Sequence, residues 1–232
     1  MRLLSNDINP KQMVTTGVAL LLIFLLWNTA VVYPLKILVV FFHELSHGIA
    51  AVLTGGAIER IELSPQQGGV CYTRGGWTFA ITSAGYLGSM LFGGFILVTA
   101  ARTRLDKLIM SGLGAFLFLL GLFYVRPLVS FAFVFVMLSS AGMMALGYFL
   151  TEKVNDFLLR IIGLTSCLYA IVDIKSDALD RNIPSSDAYR IAESIPFVGS
   201  FTVGAVWIII SVLGTLFFLR LTATSPVHDD DL

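Results

Sequence analysis

Seven stretches of the chain stay apolar for close to 20 residues: Val14–Tyr33, Leu35–Leu53, Trp77–Ala101, Leu108–Val125, Leu128–Leu150, Phe157–Asp173 and Phe201–Leu219. About 20 such residues in a helix cross the hydrocarbon core of a bilayer. Lipid offers the backbone no hydrogen-bond partners, so a spanning segment must satisfy its own N–H and C=O groups, as a helix does. The pattern therefore predicts an all-α polytopic membrane protein. The turn at Tyr33–Pro34 and the Gly/Pro interruptions allow six to seven transmembrane helices. The first stretch exceeds the 7–15-residue core of a signal peptide, and no A-x-A-like site clearly follows it, so it reads as a span.

Composition agrees. Hydrophobic residues make up 56% of the chain and charged residues 13%, about half the charge of a soluble domain. Mean hydropathy is +0.86. With net charge zero, nothing points electrostatically to nucleic acid or anionic lipid, and the apolar composition implies a lipid bilayer. The 15 Lys and Arg residues divide almost evenly between the two sets of loops, so the positive-inside rule assigns no orientation. Cys71 and Cys167 lie far apart and suggest neither a disulfide framework nor a thiolate metal site.

Residues 1–221 read as one integral membrane domain. Within it, Thr54–Gly76 is too polar to span, and Ala57–Leu63 and Val70–Thr73 have strand composition around a Pro/Gly turn. A small β-hairpin at the membrane edge is expected there. Residues 175–200 read as a polar loop with a short interfacial helix starting near Pro184–Asp187. Residues 222–232, ending in three aspartates, read as a disordered acidic tail.

The chemistry is concentrated at His43-Glu44-Leu45-Ser46-His47, inside the second apolar stretch. Residues four apart share a helix face, so His43 and His47 can grip one metal ion from one side. Glu44 is then placed to take a proton from a water that the ion polarises. This is the H-E-x-x-H arrangement of zinc peptidases. The bland alternative is a polar helix–helix contact. Against it stands the cost of such groups at membrane depth, roughly 2.5 kcal/mol or more per charge.

Catalytic zinc takes three protein ligands. His228, in the acidic tail, is a poor third. Asp173 follows the apolar run Leu168–Val172 and is the carboxylate set deepest in lipid-like sequence, so it is the expected third ligand. Asp177, one turn on, is the runner-up, with Glu152, Asp156 and Glu193 further away in pattern. His43 is mid-span and Asp173 is near the end of its span, a depth difference of roughly 10 Å. A broken or shifted sixth helix lining a cavity would close that gap.

Several segments together resemble the site-2 protease family of intramembrane zinc metallopeptidases, in a compact B-like form with no PDZ-like insertion visible. They are FFHELSHGIAA (41–51), GGVCYTRGG (68–76), TSAGYLGS (82–89), VDIKSDAL (172–179) and SSDA (185–188). The resemblance covers roughly residues 35–195. It implies zinc held by His43, His47 and Asp173, with Glu44 activating water. Better-known branches carry an LDG-type motif at the third ligand, where this chain has VDI. The resemblance also implies that the hairpin holds substrate as an extended strand, and Gly85 and Gly88 are read as letting the third helix pack closely on the second.

The expected function is hydrolysis of a peptide bond in or near the membrane, in a membrane-protein or peptide substrate. One alternative is a non-catalytic protein keeping the zinc fold for binding or assembly. Another, a transporter, lacks the internal repeats common in that class.

Overall fold

The computed structural model describes residues 10–180 and 186–224. Helices α1 (Pro10–Leu25) and α2 (Tyr33–Leu53) precede strands β1 (Ala57–Leu63) and β2 (Gly69–Arg74). Then come α3 (Thr78–Arg102), α4 (Asp106–Tyr124), α5 (Phe131–Phe149), α6 (Glu152–Ile174), the short α7 (Asp187–Glu193) and α8 (Ser200–Ala223).

Among the described residues, six helices are long and apolar enough to span a bilayer: α2, α3, α4, α5, α6 and α8. The chain is an integral, multi-pass membrane protein. Its outward side chains fit that solvent, since Leu119, Phe123, Leu138, Leu213 and Phe217 are exposed. The first expected span is not one helix. The 16 residues of α1 rise about 24 Å, short of the roughly 30 Å core. After Leu25 the chain turns, with the Thr29 hydroxyl and N–H donating to the Leu26 carbonyl at 2.7 and 2.9 Å. Pro34, in the first turn of α2, restarts the helix, a position where its missing N–H costs nothing.

Helix α2 is the central element. In its apolar window 78% of residues are buried, against 22% in α4 and in α8, and every residue from Lys36 to Gly48 is buried. Helices α3 and α6 cross with backbones in contact. A Cβ on Gly93 would lie 2.5 Å from the Gly163 carbonyl oxygen, and one on Gly163 would lie 2.7 Å from that of Gly93. Such close approach gives dispersion contact where lipid removes the hydrophobic incentive to associate.

The hairpin forms as its composition predicts. Strands β1 and β2 pair antiparallel from Ala57↔Arg74 to Leu63↔Gly69, with an irregularity between Ile58 and Arg60. It folds back along α2: Ile58 and Cys71 lie against Gly48, and Gly69 lies against Glu44. Its turn reaches the start of α2, where the Tyr33 hydroxyl donates to the Pro65 carbonyl at 2.8 Å. The outer edge of β1 bridges to Val125, and the Arg126 N–H donates to the Ile61 carbonyl at 3.3 Å. Among the described residues β2 has no second strand partner.

Helix α6 does not run straight into solvent. It widens into a π-helical stretch at Lys175–Asp180, the irregular end that the depth argument required, and π-turns often mark functional sites. The expected helix start near Pro184–Asp187 is present as α7. Ser186 is its N-cap and accepts from the Tyr189 N–H at 3.3 Å; Pro184 and Ser185 lie outside the described residues. Helix α8 includes Thr222 and Ala223; the rest of the expected tail, 225–232, lies outside the described residues.

Candidate metal centre

Helical periodicity places His43 and His47 on one face of α2, with ring centroids 4.8 Å apart and planes at 76°. Both are buried, as is Glu44 between them. The two Nε2 atoms converge on a single carboxylate oxygen: Asp187 Oδ2 is 3.1 Å from each. His43, His47 and Asp187 therefore offer three ligand atoms within 4.8 Å of one another.

The opposite ring nitrogens have separate surroundings. His47 Nδ1 lies 2.7 Å from the Ile81 carbonyl oxygen. That oxygen can only accept, so Nδ1 carries the proton and Nε2 presents its lone pair to the cluster. His43 Nδ1 faces Asp173 Oδ2 at 3.5 Å, and Tyr169 hydrogen-bonds to Asp173 in turn. Asp173, the carboxylate singled out in the sequence, thus sits behind His43, on the nitrogen facing away from His47 and Asp187. Asp177 is held by the Tyr86 hydroxyl, which donates to its Oδ2 at 3.0 Å.

These donors fit a divalent cation. The His47 Nε2 lone pair and the Asp187 carboxylate oxygen stand 3.1 Å apart and repel unless positive charge lies between them, which a cation shared with His43 Nε2 would supply. Ligand atoms about 2.0–2.1 Å from a tetrahedral ion stand about 3.3 Å apart, close to the 3.1 Å seen here.

Two glycines shape the site. A Cβ on Gly85 would lie 2.5 Å from both Nε2 atoms, so the backbone of α3 closes over the imidazoles. A Cβ on Gly69 would lie 2.6 Å from Glu44 Cγ and 2.7 Å from its Oε1, so β2 roofs the glutamate. Gly88, the other glycine read as a packing position, abuts Ser46.

Asp187 was not among the sequence candidates because depth in apolar sequence was the criterion, and Asp187 stands in a polar stretch. The usable signal was the apolar spacing of Ala188, Ile191, Ala192 and Ile195, which marks a helix with a buried face. Ala188 and Ile191 are at most 1% exposed, so α7 docks into the bundle and carries Asp187 inward. Tyr86 and Tyr169 carried no signal beyond being tyrosines in apolar runs.

Membrane-length helices closed around paired imidazoles and carboxylates define a multi-pass membrane protein with a cluster of metal-ligating side chains inside it. The chain belongs to the peptidase M50B-like family, whose model matches residues 16–218. This is a family of metallopeptidases, in keeping with the site-2 protease resemblance. Comparison with curated protein sequences and with solved structures yields no match.

Proposed function

We propose that the protein is an intramembrane zinc metallopeptidase that hydrolyses a peptide bond in or near the bilayer, in a membrane-protein or peptide substrate. The observation that carries this reading is the convergence of His43 Nε2, His47 Nε2 and Asp187 Oδ2 at 3.1 Å, with Glu44 on the same helix. His43, His47 and Asp187 would hold the ion. This ligand set has Asp187 in place of Asp173, because the Asp187 carboxylate lies 3.1 Å from both Nε2 atoms while that of Asp173 faces His43 Nδ1.

Asp173 takes a different part. From behind His43 its carboxylate orients the ring and raises its basicity, as outer carboxylates do for metal-binding histidines. The Ile81 carbonyl does the same for His47. When bound, zinc would supply Lewis-acid polarisation of the scissile carbonyl and of the attacking water. Glu44 accepts the water's proton and delivers it to the departing amide nitrogen. Gly69 of β2 rests on the Glu44 carboxylate, which keeps Glu44 under the hairpin.

A helical substrate must unwind before attack, since its carbonyls are already bonded. The outer edge of β1 is engaged by Val125 and Arg126, which leaves β2 as the edge for an extended peptide. Gly69 of β2 rests on Glu44, so a peptide added there passes close to the base.

The test is Glu44→Gln in purified protein, assayed for bound zinc and for cleavage of transmembrane peptides that the wild type cuts. The expected result is full zinc occupancy with cleavage lowered about 10²–10⁴-fold. Undiminished cleavage would refute the role of Glu44, and a zinc-free wild-type protein would refute the metal centre.

A further inference from the structure

The proposed third ligand arrives on an unusual support. Asp187 is the first residue of α7, only seven residues long, joined to the π-helical end of α6 through residues 181–185. Apolar contacts of Ala188 and Ile191 seat this helix in the bundle, but such contacts are non-directional and leave its register loosely defined. A ligand oxygen must be placed to within a fraction of an ångström.

Tyr86 supplies the missing direction. It is fully buried on α3, one residue after the glycine that touches both imidazoles. Its ring meets His43 edge-on, with centroids 5.5 Å apart and planes at 72°. Its hydroxyl donates to Asp177 Oδ2 at 3.0 Å and accepts from the Ala188 N–H at 3.4 Å. One phenol oxygen therefore ties α3, the π-helical stretch and the residue following Asp187.

We infer that Tyr86 is a positioning residue: with Asp177 it latches α7 so that the Asp187 carboxylate faces the paired Nε2 atoms. The inference rests on the metal centre proposed above. Loss of the hydroxyl removes the acceptor of the Ala188 N–H and one donor to Asp177, leaving the apolar seat of α7 in place.

The experiment measures zinc dissociation constants by chelator competition in detergent micelles, alongside thermal unfolding of the metal-free protein. The variants are Tyr86→Phe, Asp177→Asn, Asp177→Leu and His47→Ala. Tyr86→Phe is expected to weaken zinc binding about 10–100-fold, the usual cost of losing an outer-shell partner, with little change in metal-free melting. Asp177→Asn and Asp177→Leu both remove the charge, but only Asn keeps an oxygen to accept from Tyr86. Asn is therefore expected to bind zinc more tightly than Leu.

Wild-type zinc affinity in Tyr86→Phe, or equal affinities in the two Asp177 variants, overturns the latch. His47→Ala separates the two levels: if it retains zinc, the metal centre itself is wrong. If it loses zinc while Tyr86→Phe does not, only the latch fails.

Discussion

Replacing Gly85 by Ala tests the most exacting contact in the site. The new methyl would sit 2.5 Å from His43 Nε2, His47 Nε2 and His47 Cε1, whereas unstrained contacts begin near 3.5 Å. About 1 Å of overlap must be relieved by turning the rings or lifting α3 off α2. Alanine in a helix interior gains about 1 kcal/mol over glycine, and overpacking costs about 1–3 kcal/mol. Net stability should thus fall by no more than about 2 kcal/mol. Zinc binding should suffer far more. The methyl would press on both of the nitrogens proposed to hold the ion, so the rings must turn and their lone pairs no longer converge. We expect at least a hundredfold loss of zinc affinity, roughly 2.7 kcal/mol, read by chelator competition. Gly112→Ala is the control, because nothing lies within 4 Å of a Cβ there. A Gly85→Ala protein that bound zinc like the wild type would refute the placement of α3 over the imidazoles.

Asp187→Asn and Asp173→Asn should separate ligand from orienting group. The former should lose zinc almost entirely, while the latter weakens binding about 10–100-fold, measured by metal analysis and competition. Burial, with Glu44 adding to it, pushes the Cys71 thiol from its ordinary 9.0 up to about 12. Its thiolate fraction at pH 8 should therefore be lower by a factor on the order of 10³. In a Cys167→Ser background, maleimide labelling of Cys71 should be correspondingly slow in the native protein and fast once it is denatured.

The spans were legible because lipid imposes a length and a composition that composition alone can report. The break after Leu25 was legible only in part: Asn28, Thr29 and the Tyr33–Pro34 turn hint at it, but Leu26, Ala30, Val31 and Val32 carry the apolar run through. The hairpin strands were readable from Ala57–Leu63 and the Pro/Gly turn, but their course along α2 depends on Gly48 and Gly69 meeting particular side chains. At the site, the i, i+4 spacing of His43 and His47 is a local property and survives folding directly. The third carboxylate is a tertiary property. Asp173 and Asp187 both end near His43, and which faces Nε2 depends on the π-helical turn and on the docking of α7, neither of which has a strong local signature.

The separation of 144 residues between His43 and Asp187 has a bearing on biosynthesis. Chains are made and inserted from the N-terminus, so both imidazoles enter the bilayer long before the carboxylate is translated. On the ligand set proposed here, a nascent or truncated protein would carry the base and two of the three ligands, yet could not hold the ion firmly. On that reading, hydrolytic competence would be withheld until insertion is nearly finished.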